Sequence, residues 1–333
     1  MDPAHFFSSS RIVVVVGKGG VGTSTVTAAY ARAAASVGRS VLVVDVEGRG
    51  SLDGLLGGGP FGYEPVDVPP ASGAPEGPEP ATIRACVVTA DEALTEYLRA
   101  RGLHRIARRL LDGGLGDVIG RGVPGIGDLL VLGKIRQLEN AGAADLIVVD
   151  APSSGHAVSF LRAAGGLGDA VRFGPIAEQA AAVADLLADP ARCQVVLVTL
   201  AEDTPVTEAA EVAYVLEDEV GVALGPIVVN ACETIRDDDR SPPAGATTDA
   251  AVDEDLAAAI RAATAFDLGR RRREATQLVR LGNLLPLPRL LLHRRPGVVL
   301  GPDDVVALAD DLCVGVRELD GPTPAAADAG GVP

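Results

Sequence analysis

The stretch GKGGVGTSTV, residues 17–26, directly follows the apolar run RIVVVV at residues 11–16. A short β-branched run of this kind is typical of a buried strand. The alanine-rich segment STVTAAYARAAA that begins at Ser24 favours a helix. Four glycines between them let successive backbone N–H groups point inward, and the helix adds the positive end of its dipole. The sequence therefore predicts a strand, an anion-binding loop and a helix.

The loop departs from the usual phosphate-binding pattern at one position. In the pattern G-x-x-x-x-G-K-[ST] a lysine follows the last glycine and reaches the β- and γ-phosphates, whereas this chain has Thr23. Ser24 keeps the hydroxyl that ligates Mg²⁺ in such loops. A tight turn without a ligand is the alternative, but packing alone does not require four glycines. The predicted nucleotide-binding residues are Gly17, Lys18, Gly19, Gly20, Val21, Gly22, Thr23, Ser24 and Thr25.

Short apolar runs recur along the chain with helical segments between them, a pattern typical of parallel βαβ units. The first three runs end at polar or glycine-rich corners, as expected for central strands whose carboxyl ends border a ligand crevice. We predict an α/β fold with a mostly parallel central sheet flanked by helices. The predicted strands are residues 11–16, 40–45, 145–150, 194–200 and 226–230.

The other segments complete the predicted domain organisation, in which residues 11–320 form a single domain. Leucine and isoleucine recur at helical spacing in residues 91–140, which predicts a small helical insertion packed on the core. Segments rich in proline, glycine or acidic residues predict loops and disorder. These are mobile loops at about 64–81 and 237–250 and a disordered tail at 321–333. A flexible N-terminus at 1–10 is also expected.

Bulk composition limits the partners of this chain. Its formal net charge of −16 repels phosphate backbones and anionic lipid surfaces. The basic run at residues 270–273 is expected to be a solvated helical face or an interdomain contact, and no nucleic acid partner is predicted. Four cysteines lie far apart without a C-x-x-C motif, as expected of buried thiols in a reducing cytosol. Without a signal peptide or a membrane-spanning run, a cytoplasmic location is expected.

Lys18, directly after the first glycine, makes the loop resemble that of the deviant phosphate-loop ATPases, which include the MinD, ParA and ArsA families. The run DAPSSGHAVSFL at residues 150–161 is similar to the second switch of the ArsA family, with Gly155 and His156 at matching positions. MinD and ParA proteins lack this switch, and an ordinary structural histidine is the alternative reading of His156. The resemblance to the ArsA family covers roughly residues 10–320 and implies a P-loop NTPase fold, with ATP and Mg²⁺ as cofactors.

The same resemblance implies roles for residues outside the loop. Asp150 takes the place of the aspartate that holds the Mg²⁺ shell, together with Ser24. Glu47 falls where the ArsA family carries a catalytic aspartate, and it could orient the attacking water. A carboxylate that caps a surface turn is the alternative for Glu47. Asn230 falls where an asparagine reads the adenine ring, and residues 285–292 resemble the proline-containing loop that covers the adenine.

Lys18 and Thr23 together suggest an asymmetric pair of subunits. In the related families the early lysine crosses a dimer interface to the partner's phosphates, which makes Lys18 a catalytic candidate beside Glu47. Loss of a comparable charged donor costs about 2.7–4 kcal/mol of barrier, so hydrolysis at this chain's own loop should be slow. We expect an ATPase subunit that is weak alone and donates Lys18 in trans to a related subunit with an intact loop.

Other functions remain open on the sequence. A homodimer could use Lys18 reciprocally, and a non-catalytic nucleotide-dependent scaffold or a MinD/ParA-like positioning ATPase would share the loop. Scattered cysteines disfavour arsenite transport, because members that bind arsenite use clustered thiols. The single methionine and short insertion do not resemble the Met-rich groove of members that target tail-anchored proteins. A cargo protein or membrane partner is left open, and the sequence does not identify one.

Overall fold

The computed structural model describes residues 1–48, 50–71, 81–103, 105, 125–170, 173–233, 254–297 and 299–319. Strands and helices alternate over most of these ranges. In chain order the elements are α1 (Pro3–Phe6), β1 (Ile12–Gly17), α2 (Thr23–Ser36), β2 (Val41–Asp45), α3 (Ser51–Leu56), β3 (Val66–Asp67), β4 (Ile83–Val87), α4 (Ala90–Ala100), α5 (Ile126–Asn140), β5 (Leu146–Asp150), α6 (Ser154–Ala170), α7 (Pro175–Ala188), β6 (Cys193–Leu200), α8 (Asp203–Val215), a π-helical turn (Leu216–Val220), β7 (Ala223–Leu224), β8 (Ile227–Cys232), α9 (Glu254–Leu284), β9 (Arg289–His293) and α10 (Pro302–Glu318).

The strands of the described ranges form one sheet in the order β3-β4-β2-β5-β1-β6-β8-β9, with β7 paired to β6. The short pair β3–β4 is antiparallel, and the other pairs are parallel. Strand β1 lies in the middle, between β5 and β6. This sheet, with helices on both faces, confirms the predicted α/β class. Because the main strands are parallel, their carboxyl ends share one edge.

Two apolar cores lie on opposite faces of the sheet. Successive side chains of a strand point to opposite faces, so Val14 of β1 belongs to one core and its neighbours Val13 and Val15 belong to the other. Helices α5, α6, α7 and α8 cover the first core, whereas α2, α3 and α10 cover the second. Burial on both faces explains why the central strands are almost uniformly apolar.

The five predicted strands are confirmed as β1, β2, β5, β6 and β8, with ends that differ by no more than two residues. Strands β3, β4, β7 and β9 were not predicted from the sequence. Helices α4 and α5 lie in the predicted helical insertion, and Leu129 and Leu132 of α5 are buried in the first core as expected. Residues 104 and 106–124 of that insertion lie outside the described residues.

The first ten residues pack onto the domain, although the sequence analysis expected them to be flexible. Residues 3–6 form α1, and Phe6 and Phe7 are 7% and 2% exposed. The Phe7 ring meets Tyr30 of α2 edge to face, with 4.9 Å between ring centroids. Burial of two aromatic side chains offsets the entropy lost in ordering this short segment.

The predicted mobile segments are described only in part. Within residues 64–81, β3 pairs with β4, and residues 72–80 lie outside the described ranges. The predicted loop at 237–250 and the predicted tail at 321–333 also lie outside them.

Candidate functional site

The loop between β1 and α2 lies at the carboxyl edge, near the middle of the sheet. Gly20 and Gly22 have φ angles of +92° and +90°, a left-handed conformation that glycine adopts without steric cost. Gly22 is the N-cap of the 14-residue helix α2, and no described side chain caps that helix. The first amide groups of α2 therefore remain available at the loop, as an anion-binding helix N-terminus requires.

A cleft of about 340 Å³ opens in front of this loop. A Cβ atom on Gly19 or Gly20 would meet no atom within 4 Å, so bare backbone forms this wall of the cleft. Such a wall can bring several N–H groups close to a phosphate. The predicted site residues that line the cleft are Lys18, Gly19, Gly20, Gly22, Thr23, Ser24, Thr25, Glu47 and Asp150.

Gly17 and Val21 do not line the cleft, although both belong to the predicted nucleotide-binding loop. Val21 is 2% exposed and packs in the second core. A Cβ atom on Gly17 would lie 2.7 Å from Val21 Cγ2 and 2.9 Å from the Val198 carbonyl oxygen. Gly17 is therefore required by close packing of the loop against β6.

Ser24 and Asp150, the predicted Mg²⁺ residues, contact each other. The Ser24 hydroxyl donates to Asp150 Oδ2 at 2.6 Å, and Thr27 Oγ1 donates to Asp150 Oδ1 at 3.2 Å. The Ser51 hydroxyl in turn donates to Ser24 Oγ at 2.9 Å. Hydroxyl and carboxylate oxygens are the ligands that Mg²⁺ prefers. The two residues thus fit the predicted magnesium site, with Ser24 at the start of α2 and Asp150 at the end of β5.

Asp45 is a second buried carboxylate at this site, and sequence reasoning missed it. It ends β2 directly opposite Asp150 in the parallel ladder, and the two residues are 5% and 7% exposed. Burial raises the pKa of Asp45, opposed by N–H bonds from Gly48 and Glu47. Burial raises the pKa of Asp150 to about 6, opposed by the Ser24 hydrogen bond. The position of Asp45 at the end of a predicted central strand was the signal that could have identified it.

Glu47 lies on the same wall of the cleft as Asp45. Its backbone N–H donates to Asp45 Oδ1 at 3.0 Å, which fixes the turn after β2. Together with Asp45 and Asp150 it gives the cleft three carboxylates, against the single ammonium of Lys18 among the described lining residues. This balance repels a bare triphosphate and favours one accompanied by a divalent cation.

The described residues contain no group of three or more His, Cys, Asp and Glu side chains placed to hold a metal ion. Mg²⁺ is usually held by only one or two carboxylates, while substrate phosphates and waters supply its other ligands. The Ser24–Asp150 pair is compatible with that mode of binding.

Lys18 is paired within its own chain. Its Nζ atom lies 2.6 Å from Glu208 Oε1 on α8. The two side chains are 40% and 34% exposed, so the ion pair lies at the protein surface. Lys18 lines the cleft in front of the loop, but its ammonium contacts helix α8.

Thr23 is the first residue of α2 and lines the cleft where the usual pattern has a lysine. Its Oγ1 lies 3.0 Å from the position that a Cβ atom on Gly17 would occupy. The short side chain therefore stays close to the start of the loop and places a hydroxyl there in place of an ammonium.

Asn230 contacts the loop itself. Its Nδ2 donates to the Val21 carbonyl oxygen at 2.9 Å, and a Cβ atom on Gly22 would lie 2.2 Å from the same nitrogen. Ala231 follows with a φ of +54°, unusual for a residue other than glycine, where the register between β8 and β9 shifts. Asn230, near the end of β8, thus supports the loop between β1 and α2 through a hydrogen bond.

A second cleft, of about 420 Å³, lies beyond Asn230 at the ends of β6 and β8. Arg270, Arg273 and Arg294 line it beside acidic side chains. Glu233 accepts from Arg270 at 2.6 Å and from Arg294 at 2.9 Å. Part of the basic run at 270–273 is therefore neutralised within the chain.

One sequence-based assignment needs correction. Residues 289–293 of the proposed adenine loop form β9, and Leu290 and Leu292 are buried in the second core. Because β9 is parallel to β8, the prolines before it lie at the amino edge, opposite the cleft. His156 is exposed on the first turn of α6 and does not line the cleft.

Within the described ranges, the chain has no helix with the length and apolar character needed to cross a bilayer.

The loop between β1 and α2 lies within a segment that matches a known protein family. Residues 12–215 match the CobQ/CobB/MinD/ParA nucleotide binding domain. The chain is 32% identical over 237 residues to the ATPase BagA of Mycobacterium tuberculosis, an alignment that covers 67% of this chain and 65% of BagA. It is 25% identical over 239 residues to the "Putative arsenical pump-driving ATPase" of Halobacterium salinarum, covering 66% of this chain and 35% of that protein. The chain therefore belongs to the CobQ/CobB/MinD/ParA family of P-loop ATPase domains.

Proposed function

We propose that this chain is an ArsA-like subunit that binds Mg·ATP, hydrolyses it slowly at its own loop, and donates Lys18 to a related subunit with an intact loop. The observation that carries the proposal is the composition of the cleft. It keeps a bare glycine wall, the Ser24–Asp150 pair and Lys18, but has Thr23 where the usual lysine would be. A cytoplasmic location is part of the proposal, since all four cysteines are free and buried.

Nucleotide binding is supported by the geometry of the loop. The amides at the start of α2 and the glycine wall would surround the phosphates, while the oxygens of Ser24 and Asp150 would hold Mg²⁺, which neutralises phosphate charge. The second cleft beyond Asn230 offers room for the base and ribose. Asn230 would then support the loop and border the base at the same time.

Glu47 is the residue that we propose for orienting the attacking water. Glu47 lines the cleft, and the hydrogen bond of its own amide to Asp45 fixes the turn that carries it. A carboxylate facing the terminal phosphate can hold a water in line for attack.

Lys18 carries the proposed role in trans. The ammonium lies at the surface, where a docking subunit could approach it. A positive group supplied by a second subunit can stabilise the charge that develops during phosphoryl transfer. A reciprocal homodimer would use the same lysine, so the two arrangements differ only in whether the partner's loop is intact.

The cysteines argue against arsenite as the cargo, although the name of the Halobacterium relative refers to an arsenical pump. Cys86, Cys193, Cys232 and Cys313 are buried, and burial raises the pKa of each thiol. They therefore do not form the exposed thiolate cluster that a soft metalloid needs. A protein cargo is the remaining proposal.

Calorimetry with Mg·ATP tests the binding step. The unmodified chain should bind, and Ser24→Ala should weaken the Mg²⁺-dependent part of the affinity, since it removes a proposed ligand. Ser36→Ala is the matched control on the same helix, because its hydroxyl contacts the Ala33 carbonyl oxygen and the Cys313 thiol and does not line the cleft. Absence of binding by the unmodified chain would refute the proposal.

Phosphate release tests the catalytic step, with the chain alone and mixed with a relative that has an intact G-K-G-G-x-G-K loop. Lys18→Ala should lower turnover of the mixture. A non-catalytic scaffold would instead bind Mg·ATP and release no phosphate in either sample.

A further inference from the structure

The ion pair between Lys18 and Glu208 involves one of only two lysines in the chain. The other, Lys134, is 15% exposed and pairs with Glu96, with 2.7 Å between Nζ and Oε2. All remaining side chains of permanent positive charge are arginines. Lys18 is thus the more exposed ammonium, and it lies beside the cleft with a carboxylate of its own chain in contact.

The carboxylate of Glu208 cannot follow the lysine into another subunit. Helix α8 is anchored in the first core by Val206 and Ala209, which flank Glu208 and are 0% and 7% exposed. A contact of 2.6 Å requires the ammonium to stay against this helix. The same ammonium therefore cannot contact Glu208 and a phosphate bound in a second subunit at the same time.

The Lys18–Glu208 ion pair is weak enough to break when a second subunit docks. The side chains of Lys18 and Glu208 are 40% and 34% exposed. Exposed ion pairs contribute little net stability. A bound triphosphate carries more negative charge than one carboxylate, and a closed interface excludes the water that screens it. The phosphate of a second subunit can therefore replace Glu208 as the partner of Lys18. Breaking the ion pair makes the free energy of association slightly less favourable.

We propose that Glu208 is a positioning residue that holds the Lys18 ammonium on its own chain until a second nucleotide-bound subunit docks. This inference rests on the proposed trans role of Lys18. It predicts that Glu208 opposes association, so that its removal strengthens nucleotide-dependent pairing.

Amine acylation tests the ion pair without any partner. The full chain is treated briefly with an acetyl N-hydroxysuccinimide ester, and mass spectrometry of peptides reports acetylation of Lys18 against Lys134. Glu208→Gln should raise the Lys18 rate severalfold and leave Lys134 unchanged. Glu211→Gln is the matched control, because Glu211 is exposed on α8 and makes no ion pair with another described residue. Equal Lys18 rates in all three proteins would overturn the inference.

Sedimentation velocity with Mg·ATP tests the release step, for the chain alone and mixed with the intact-loop relative. Glu208→Gln should tighten association about two- to fivefold, the range expected for loss of an exposed ion pair. The gain should vanish in the Lys18→Ala background and be absent in Glu211→Gln.

The outcomes separate this inference from the proposed function. A gain that persists in the Lys18→Ala background, or faster acylation without tighter association, contradicts the role of Glu208 while Mg·ATP binding and turnover still test the proposed function. No association in either sample refutes the trans role of Lys18 and this inference with it.

Discussion

Thr23 is the residue that most limits the chemistry expected of this chain. Thr23→Lys should raise turnover by the isolated chain roughly a hundredfold, because an ammonium at this position meets charge that develops in the transition state. Phosphate release from Mg·ATP measures the effect. Thr23→Met adds similar length without charge and should give no gain. If both variants behave alike, the missing ammonium is not what limits hydrolysis.

At the scale of residues, the sequence identifies the site residues that belong to motifs. It does not identify those that only the fold brings to the site. The glycines and Ser24 were predictable because the spacing of such a loop follows from the chemistry of phosphate and Mg²⁺, whereas Asp150 was assigned through the resemblance to the ArsA switch. Asp45 was missed because it belongs to no motif and joins the site only through the register of β2 with β5. Glu208 was missed for a similar reason, since only the packing of α8 brings it to Lys18.

At the scale of elements, the turn from the phosphate loop into α2 depends on Gly22. Gly22→Val should abolish Mg·ATP binding, because a side chain there collides with the Asn230 amide and opposes the left-handed φ.

A matched variant separates these causes by calorimetry and thermal unfolding. Gly38→Ala also introduces a side chain at positive φ, but with no atom within 4 Å of the new Cβ. It should lower stability by about 1 kcal/mol and leave Mg·ATP affinity intact. Unchanged affinity in Gly22→Val would contradict the proposed loop geometry.

The elements that sequence reasoning missed are mostly short or lie toward the sheet edges. β3 and β7 contain two residues each, too few to show a period. β4 has two half-buried positions among its five residues and includes Arg84, so it lacks the uniform apolar character of the central strands. β9 was assigned to a loop through the resemblance of residues 285–292 to a proline-containing loop, yet a proline directly before a strand removes no ladder hydrogen bond within it.

At the scale of the whole molecule, stability should depend on the packed N-terminus. Phe7→Ala should lower the free energy of unfolding by about 3–5 kcal/mol, because it leaves a cavity beside Tyr30. Urea unfolding followed by circular dichroism measures this loss. Phe173→Ala makes the same change at a side chain that is 89% exposed and should have little effect. Equal losses would show that the N-terminal segment does not pack as described.

The charge of the molecule leads to a prediction about nucleic acids. The net charge of −16 and the pairing of Arg270 with Glu233 leave no broad positive surface among the described residues. Mobility-shift assays with duplex DNA should show no tight, salt-sensitive binding. Such binding would favour a ParA-like function instead.

The central place of β1 in the sheet has a consequence for how the chain folds during synthesis. Ile12 is paired in register with Ile147 on one side and Cys193 on the other, so β1 is synthesised well before either of its neighbours. Pairings so distant in sequence form slowly and leave apolar segments exposed meanwhile. The hydrogen bond from Asn230 to the loop can form only later still, after β8 has been synthesised. A nascent chain that ends before β8 should therefore carry the whole loop sequence and yet be unable to retain nucleotide.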